Sequence, residues 1–389
     1  MIPFLKEALD ELESKGLRRT LREVDGPQGT KIKVDGREVL NFCSNNYLGL
    51  ADDERLRRAA MECIKEQGLG SGASRLVCGN LSAHRRLEKK LAEFKKKEAC
   101  LVFSTGYMAN VGIISSLFGR DDMIFCDKLN HASIIDGILL SGAPYKRYPH
   151  CDMGALEDLL KKSSSCKKRL IVTDSVFSMD GDIAPLDKIV GLARKYEAMV
   201  MIDEAHALGV LGKHGKGAAE YFDLEDKIDI QMGTLSKAAG AFGAYCCGSA
   251  ELISFLVNHA RSFIYTTGLP PAICAASLKA IEMIEQQPQR RQQLWEKTNF
   301  LKESLKNMGF DTMNSQTPII PILVKDPQLA VEFSRQLFEQ GIFVQAIRPP
   351  TVPINTARLR VTVMATHTRG NLDRALEQFR KIGRELCLI

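Results

Sequence analysis

The chain predicts an α/β protein, with a large, mostly parallel sheet domain covered by helices and a smaller C-terminal α+β domain. Three observations predict it. From about residue 55 to 280, short β-branched or apolar runs alternate with helix-like stretches; such alternation means crossover units and a sheet buried on both faces. Beyond about 285 the pattern becomes one long polar helix followed by three strand candidates and two helices. A length of 389 residues exceeds one small core and suits two or three packed units.

The elements follow in order. Residues 5–19 carry Leu5, Leu9, Leu12 and Leu17 among charges, the spacing of a short amphipathic helix. Gly26 and Gly29 punctuate, and residues 31–40 read as a hairpin turning at Asp35-Gly36. Strands are expected at Ala99–Phe103, Met123–Cys126, Arg169–Thr173, Met199–Ile202, Ile228–Met232 and Gly243–Cys247, with helices over 81–97, 107–118, 131–141, 153–162 and 186–195. The polar helix covers roughly 285–307. Strands at 319–323, 342–347 and 357–363 follow, with helices at 328–340 and 370–386. The resulting division is an N-terminal helix and hairpin segment (1–45), a large domain (46–284) and a small C-terminal domain (285–389).

Composition excludes several classes. At 45% hydrophobic and 26% charged residues the chain is an ordinary globular sequence, rich enough in apolar residues to escape disorder. The net charge of +6 is small and its basic residues are interspersed, so runs such as Lys95–Lys97 read as solvated faces and nucleic acid is not an expected partner. The eleven cysteines lie without a recurring spacing or a CxxC pair; buried thiols in a reducing compartment, and no metal, are expected. Met1-Ile2-Pro3-Phe4 followed by charges does not read as a secretory signal, and no apolar window reaches the length of a membrane span. A cytoplasmic location is the expectation. A nicotinamide enzyme would need an early G-x-G-x-x-G with an acid further on, and none occurs.

Chemistry concentrates where predicted strands end. Met201-Ile202-Asp203-Glu204-Ala205-His206 is an apolar strand closing in an acid, with a histidine three residues on. Both side chains then stand at the carboxyl edge of the sheet, where ligands of open α/β sheets bind. After the next strand, Thr234-Leu235-Ser236-Lys237 puts a lysine among small residues, a setting that lowers an amine's pKa and favours imine formation. Alone, the first motif could be a helix-capping acid and the second a surface lysine. Together they supply what pyridoxal phosphate demands: an acid to keep the pyridine nitrogen protonated and an amine to carry the aldehyde. Ser104-Thr105-Gly106-Tyr107 follows a strand and opens a helix, so its free backbone N–H groups suit a phosphate. His131, in Leu129-Asn130-His131-Ala132-Ser133, sits at a loop–helix junction able to stack on a planar ring. Ser178 follows the strand at 169–173. Arg358 and Arg360 point the same way on a C-terminal strand, and an arginine fork matches a carboxylate.

With these motifs on the page, the chain resembles the α-oxoamine synthases among the fold-type I, aminotransferase-like pyridoxal-phosphate enzymes. The resemblance spans nearly the whole length. It rests on N-F-C-S-N-N-Y-L-G-L at 41–50, G-S-G-A-S-R at 70–75, N-H-A-S at 130–133, V-F-S-M-D-G-D at 176–182, I-D-E-A-H at 202–206 and T-L-S-K at 234–237. The resemblance implies a decarboxylative condensation of an amino acid with an acyl thioester. The run Ile347-Arg348-Pro349-Pro350-Thr351-Val352-Pro353 is similar to the branch that joins L-alanine to a pimeloyl thioester in biotin synthesis. Residues 41–50 and 129–137 resemble instead the glycine-using 2-amino-3-ketobutyrate CoA ligases, the alternative reading. Carried over residue by residue, the resemblance implies that Lys237 holds the cofactor and Asp203 pairs with its ring nitrogen. His131 stacks over the ring and assists the acyl carbonyl, while His206 and Ser178 hold the phenolic oxygen. Gly106, Tyr107 and Thr234 bind the phosphate. Thr266 and Thr267 reach it from a neighbouring subunit, which implies a homodimer with a shared active site. Arg360 clamps the amino-acid carboxylate, and Arg18 and Thr351 contact the acyl substrate. The acyl donor implied is a thioester of coenzyme A or of an acyl carrier protein, and the modest positive charge leans towards the acidic carrier.

Overall fold

The structure is a computed structural model that describes residues 3–15, 17–163 and 166–389. In chain order the elements begin with α1 (Pro3–Ser14), β1 (Val24–Asp25), β2 (Lys31–Val34) and β3 (Arg37–Asn41). Next come α2 (Glu54–Gln67), α3 (Ser82–Lys95), β4 (Ala99–Phe103), α4 (Gly106–Leu117), β5 (Met123–Asp127), α5 (Ala132–Ser141) and β6 (Tyr145–Tyr148). They continue with α6 (Met153–Lys161), β7 (Arg169–Asp174), α7 (Leu186–Lys195), β8 (Met199–Asp203), α8 (Ala218–Tyr221), β9 (Ile230–Thr234), β10 (Ala244–Gly248), α9 (Ala250–His259), α10 (Arg261–Ile264) and α11 (Pro271–Gln286). The last are α12 (Pro288–Asn307), β11 (Ile319–Lys325), α13 (Pro327–Glu339), β12 (Ile342–Phe343), β13 (Gln345–Ile347), β14 (Ala357–Thr362) and α14 (Arg369–Glu385). The α/β class and the mostly parallel sheet expected from the sequence are what the chain forms.

Two units divide the chain. The larger runs over Leu48–Ser178 and Ile183–Arg291. It holds a seven-stranded sheet in the order β4-β10-β9-β8-β7-β5-β6, in which only β10 pairs antiparallel with its neighbours. Its strands are nearly continuous apolar runs, as burial on both faces requires. Leu101, Ile124, Leu170, Val172, Met201, Ile230 and Met232 pack in one cluster with Ala109, Ile113 and Ile114 of α4 and Ile134 and Ile138 of α5. The helices α4 and α5 approach closely at Gly137, where an added Cβ would stand 3.0 Å from the Asn110 carbonyl oxygen. Six strands of this sheet, β4, β5, β6, β7, β8 and β9, run in the same direction and end on the same edge.

An internal ion pair braces that edge. Lys95 and Glu204, both essentially without solvent exposure, are in direct contact, so the run read from the sequence as a solvated face begins with a lysine that is instead buried against an acid. The Lys95 ammonium also donates to the Lys216 carbonyl, and Glu204 Oε1 accepts from the Ala219 N–H at 3.0 Å. Removing one partner of a buried pair strands the other charge in a medium of low polarity. Lys95→Met is therefore expected to destabilise the fold by roughly 3–5 kcal/mol, read as a lowered denaturant midpoint. A loss under about 1 kcal/mol would mean that water reaches the Glu204 carboxylate.

The smaller unit gathers the described residues up to Tyr47, Met179–Asp182 and Gln292–Ile389. One of its sheets orders β1-β2-β3-β12. There Asp35 and Gly36 turn the hairpin with φ of 48° and 80°, the left-handed pair that a two-residue type I′ turn needs. Its second sheet orders β11-β14-β13, beside which Phe310, Phe333 and Phe379 pack ring against ring at 6.0–6.3 Å. The N-terminal helix stops earlier than its leucine spacing predicts. It ends at Ser14, and the Leu12 carbonyl then accepts from both Leu17 and Arg18 N–H groups, which turns Leu17–Arg19 out of the helix. Among the described residues, no helix is long and apolar enough to cross a membrane.

Candidate active site

The carboxyl edge of the large sheet collects most of the residues singled out in the sequence. Asp203 is the last residue of β8 and is 4% exposed. Its Oδ2 accepts from Asn110 Nδ2 at 2.8 Å and its Oδ1 from the Ala205 N–H at 2.8 Å, so the carboxylate is fixed in orientation. Asp174 ends the neighbouring strand β7 directly opposite Asp203 and accepts the His131 N–H at 2.6 Å. Burial first, then the charge of Asp203, pushes the Asp174 carboxyl well above its ordinary range. His206, three residues beyond Asp203, is buried; Ser178 lies half-buried after β7.

His131 caps α5. Its Nδ1 accepts from the Ser133 N–H at 3.2 Å and meets Ser133 Oγ at 2.8 Å. Burial lowers the imidazole pKa below its ordinary value; the Asp203 charge opposes that and the Lys237 charge adds to it. Lys237 also pulls down the Asp174 carboxyl. One lysine thus acts electrostatically on residues at the ends of β5 and β7, while it follows β9, the strand beside β8.

At the start of α4, Thr105 caps the helix by accepting from the Met108 N–H at 3.1 Å. The amides of Gly106 and Tyr107 are the first of the helix and have no intrahelical acceptor. The Tyr107 hydroxyl is already engaged, donating to Asp136 Oδ2 at 2.5 Å, so the backbone of Tyr107 is the part available to an anion. Thr234 is buried, and its hydroxyl donates to the Gly243 carbonyl at 2.9 Å while its oxygen meets Ser236 Oγ at 2.7 Å. Thr266 and Thr267 follow α10, and Thr267 bridges to Ser74, within the glycine-rich 70–75 segment.

The C-terminal residues belong to the smaller unit. Arg358 is consumed structurally: Nη1 donates to Asp180 Oδ1 at 2.7 Å and to the Met179 carbonyl at 3.2 Å, and Nε to the Thr356 carbonyl at 2.9 Å. Arg360 donates to Asn45 Oδ1 at 3.0 Å and bonds the phenol of Tyr47, whose pKa burial pushes up to about 12. Arg18 ion-pairs with Glu13 at 3.2 Å. It is Arg19 that reaches Thr351, at 3.2 Å, and burial first, then the Arg19 charge, lowers the pKa of Arg348. Sequence reading did not single out Asn45, Asn110, Ser133 or Arg19 as site residues. Asn45 and Ser133 stand inside quoted motifs and Asn110 lies three residues beyond one, while Arg19 adjoins Arg18 with nothing in the sequence to choose between them.

A single sheet edge presenting a fixed carboxylate, a lysine, a capped imidazole and an open helix N-terminus defines a class of cofactor-dependent enzyme, and the comparisons with known proteins agree. The family model described as aminotransferase class I and II matches residues 37–379; the chain belongs to that family. Over 98% of its length it is 52% identical to an 8-amino-7-oxononanoate synthase of Geobacter sulfurreducens, covering 98% of that protein. Over its whole length it is 49% identical to the 8-amino-7-oxononanoate synthase of Thermoanaerobacter pseudethanolicus, again covering 98%. Among solved structures, Sphingomonas wittichii serine palmitoyltransferase superposes with a TM-score of 0.94 at 32% identity, over 100% of this chain and 98% of that one. An 8-amino-7-oxononanoate synthase of Francisella tularensis gives 0.78 at 32%, over 89% and 98%.

Proposed function

We propose that the protein condenses L-alanine with a pimeloyl thioester, with loss of carbon dioxide, to give 8-amino-7-oxononanoate for biotin synthesis. The chemistry rests on one observation: a single sheet edge bears Asp203, His131 and Lys237. The choice of substrates rests on relatives of that name at about half identity. The cofactor is pyridoxal 5′-phosphate. The residues present fit it, because the donor set offers an oriented carboxylate, an amine and two unpaired amides at a helix start. When bound, the group supplies an electron sink for charge developing at the amino-acid α-carbon.

Each remaining step belongs to the chain. Lys237 would hold the cofactor through its side-chain nitrogen, and the same amine, when free, would take up the α-proton and return one. Asp203, its carboxylate fixed by Asn110 and Ala205, would hold a proton at the ring nitrogen. Gly106 and Tyr107 amides, with the Thr234 corner, would hold the phosphate, and Ser178 and His206 the phenolic oxygen. Arg360, with Asn45 as its partner, takes the amino-acid carboxylate and so sets which α-bond stands across the ring. His131 would stack on the ring and donate to the acyl carbonyl. Thr266 and Thr267 complete the phosphate site of a second copy, so the working form is a homodimer. The location is cytoplasmic.

For the acyl tail we assign Arg19 and Thr351 in place of Arg18, since Arg18 is spent on Glu13. The test is carbon dioxide release with L-alanine or glycine against pimeloyl-CoA, pimeloyl acyl carrier protein and acetyl-CoA. Turnover confined to glycine with acetyl-CoA would reject the reading and favour the 2-amino-3-ketobutyrate CoA ligase, the second reading on sequence. In the same panel Arg19→Ala should raise KM for the pimeloyl donor roughly 10–100-fold, the worth of a charged hydrogen bond, while Arg18→Ala leaves it within about twofold.

A further inference from the structure

Two polar side chains outside the assigned set join the carboxylate of β8 to the histidine of α5. Asn110 stands on α4 and is 1% exposed. Its Nδ2 lies 2.8 Å from Asp203 Oδ2 and 2.9 Å from Ser133 Oγ. A carboxylate accepts only, so the amide nitrogen must face Asp203; the flipped amide would set carbonyl against carboxylate. Both hydrogens of Nδ2 are therefore spent, one on Asp203 and one on Ser133. The Asn110 Oδ1 is buried without a protein partner, a cost accepted only where the orientation is fixed by something stronger.

From Ser133 the chain of donors runs on in one direction. Its oxygen accepts from Asn110, which leaves its own hydrogen to donate. The Ser133 N–H, a donor by nature, points at His131 Nδ1 at 3.2 Å, and Ser133 Oγ stands 2.8 Å from the same nitrogen. A protonated Nδ1 would set two hydrogens against each other. Nδ1 is thus the acceptor of both, and the ring proton sits on Nε2.

We propose that Asn110 and Ser133 are positioning residues that hold His131 as the Nε2–H tautomer, so that it meets the substrate as a hydrogen-bond donor and not as a base. This rests on the assignment of His131 to the acyl carbonyl, but the tautomer itself does not. An acceptor at Nε2 would repel a carbonyl oxygen, whereas a donor stabilises the negative charge that collects there as the carbon–carbon bond forms.

The test separates the two readings. In the full chain labelled on histidine nitrogen, with and without pyridoxal phosphate, His131→Gln identifies the relevant NMR signals. Nδ1 should show the shift of an unprotonated nitrogen and Nε2 that of a protonated one at neutral pH. Ser133→Ala removes the stronger of the two donors and should move both shifts towards a mixture of tautomers. It should also lower kcat about 3- to 10-fold, with KM for the amino acid and the affinity for the cofactor within twofold. Ser133→Thr, which keeps the hydroxyl, should restore the shifts. A protonated Nδ1 in the parent protein overturns the proposal, as does a Ser133→Ala protein whose kcat falls while its shifts stay put. A chain inactive on every acyl donor but with the expected shifts would sink the assigned reaction and leave the tautomer standing.

Discussion

Lys237→Ala should give a folded protein that no longer takes on the visible absorbance of the covalently held cofactor. It should release carbon dioxide at least about a thousandfold more slowly than the parent. Two losses combine: the side-chain nitrogen that holds the aldehyde, and the only amine assigned to move the α-proton. A positioned general base by itself contributes about 10²–10⁴-fold. The lysine is close enough to act on the Asp174 carboxyl and on the His131 imidazole alike. If the variant turned over within tenfold of the parent, the proton would have to pass through another group and the reading of this edge would fail.

The second large effect is expected at Asp203. Asp203→Asn retains shape and removes the charge proposed to keep a proton on the ring nitrogen. The cofactor then accepts electrons poorly, and kcat should fall on the order of 10²–10³-fold, the scale seen when one preorganised electrostatic partner is removed. Local geometry adds to the loss. Two donors, Asn110 Nδ2 and the Ala205 N–H, converge on the two carboxylate oxygens. An amide has one oxygen, so its own NH₂ must face one of those donors, and the cofactor should bind more weakly too. Stopped-flow measurement of α-proton exchange in labelled alanine reads the effect before the acyl donor enters; a rate within threefold of the parent would contradict it.

Much of this arrangement was legible before the chain was folded, and for a physical reason. Strands buried on both faces must be apolar, so the runs at 99–103, 123–126, 169–173 and 199–202 stood out. The polar residue that interrupted each run tended to be the one the sheet edge exposes to chemistry. That is also why the expected ends fell short: Asp127, Asp174 and Asp203 complete their strands, yet each looks like the start of a loop. The edge strand β6 went unread because its Tyr-Lys-Arg-Tyr is exposed at three of four positions and carries no apolar signature. The hydrogen-bonded partners were out of reach for another reason. Asn110 and Asn45 act through neighbours far away in sequence, and no spacing encodes a contact that exists only after the sheet has assembled. Arg18 and Arg19 differ only in the direction each leaves the end of α1, which depends on how one carbonyl, that of Leu12, takes two donors.

The glycine where α4 and α5 nearly touch sets a spacing that the chemistry inherits. Both helices begin at the working edge, one with the open amides and the other with the imidazole, and both carry a member of the polar bridge within their first five residues. A methyl group at position 137 would press on the carbonyl of Asn110 itself, tilting one helix against the other with nothing altered at the edge. Efforts to reshape the enzyme for other acyl donors therefore have a hidden constraint more than a turn of helix beyond His131: the gap between two rods, held by the absence of a side chain, is part of the catalyst.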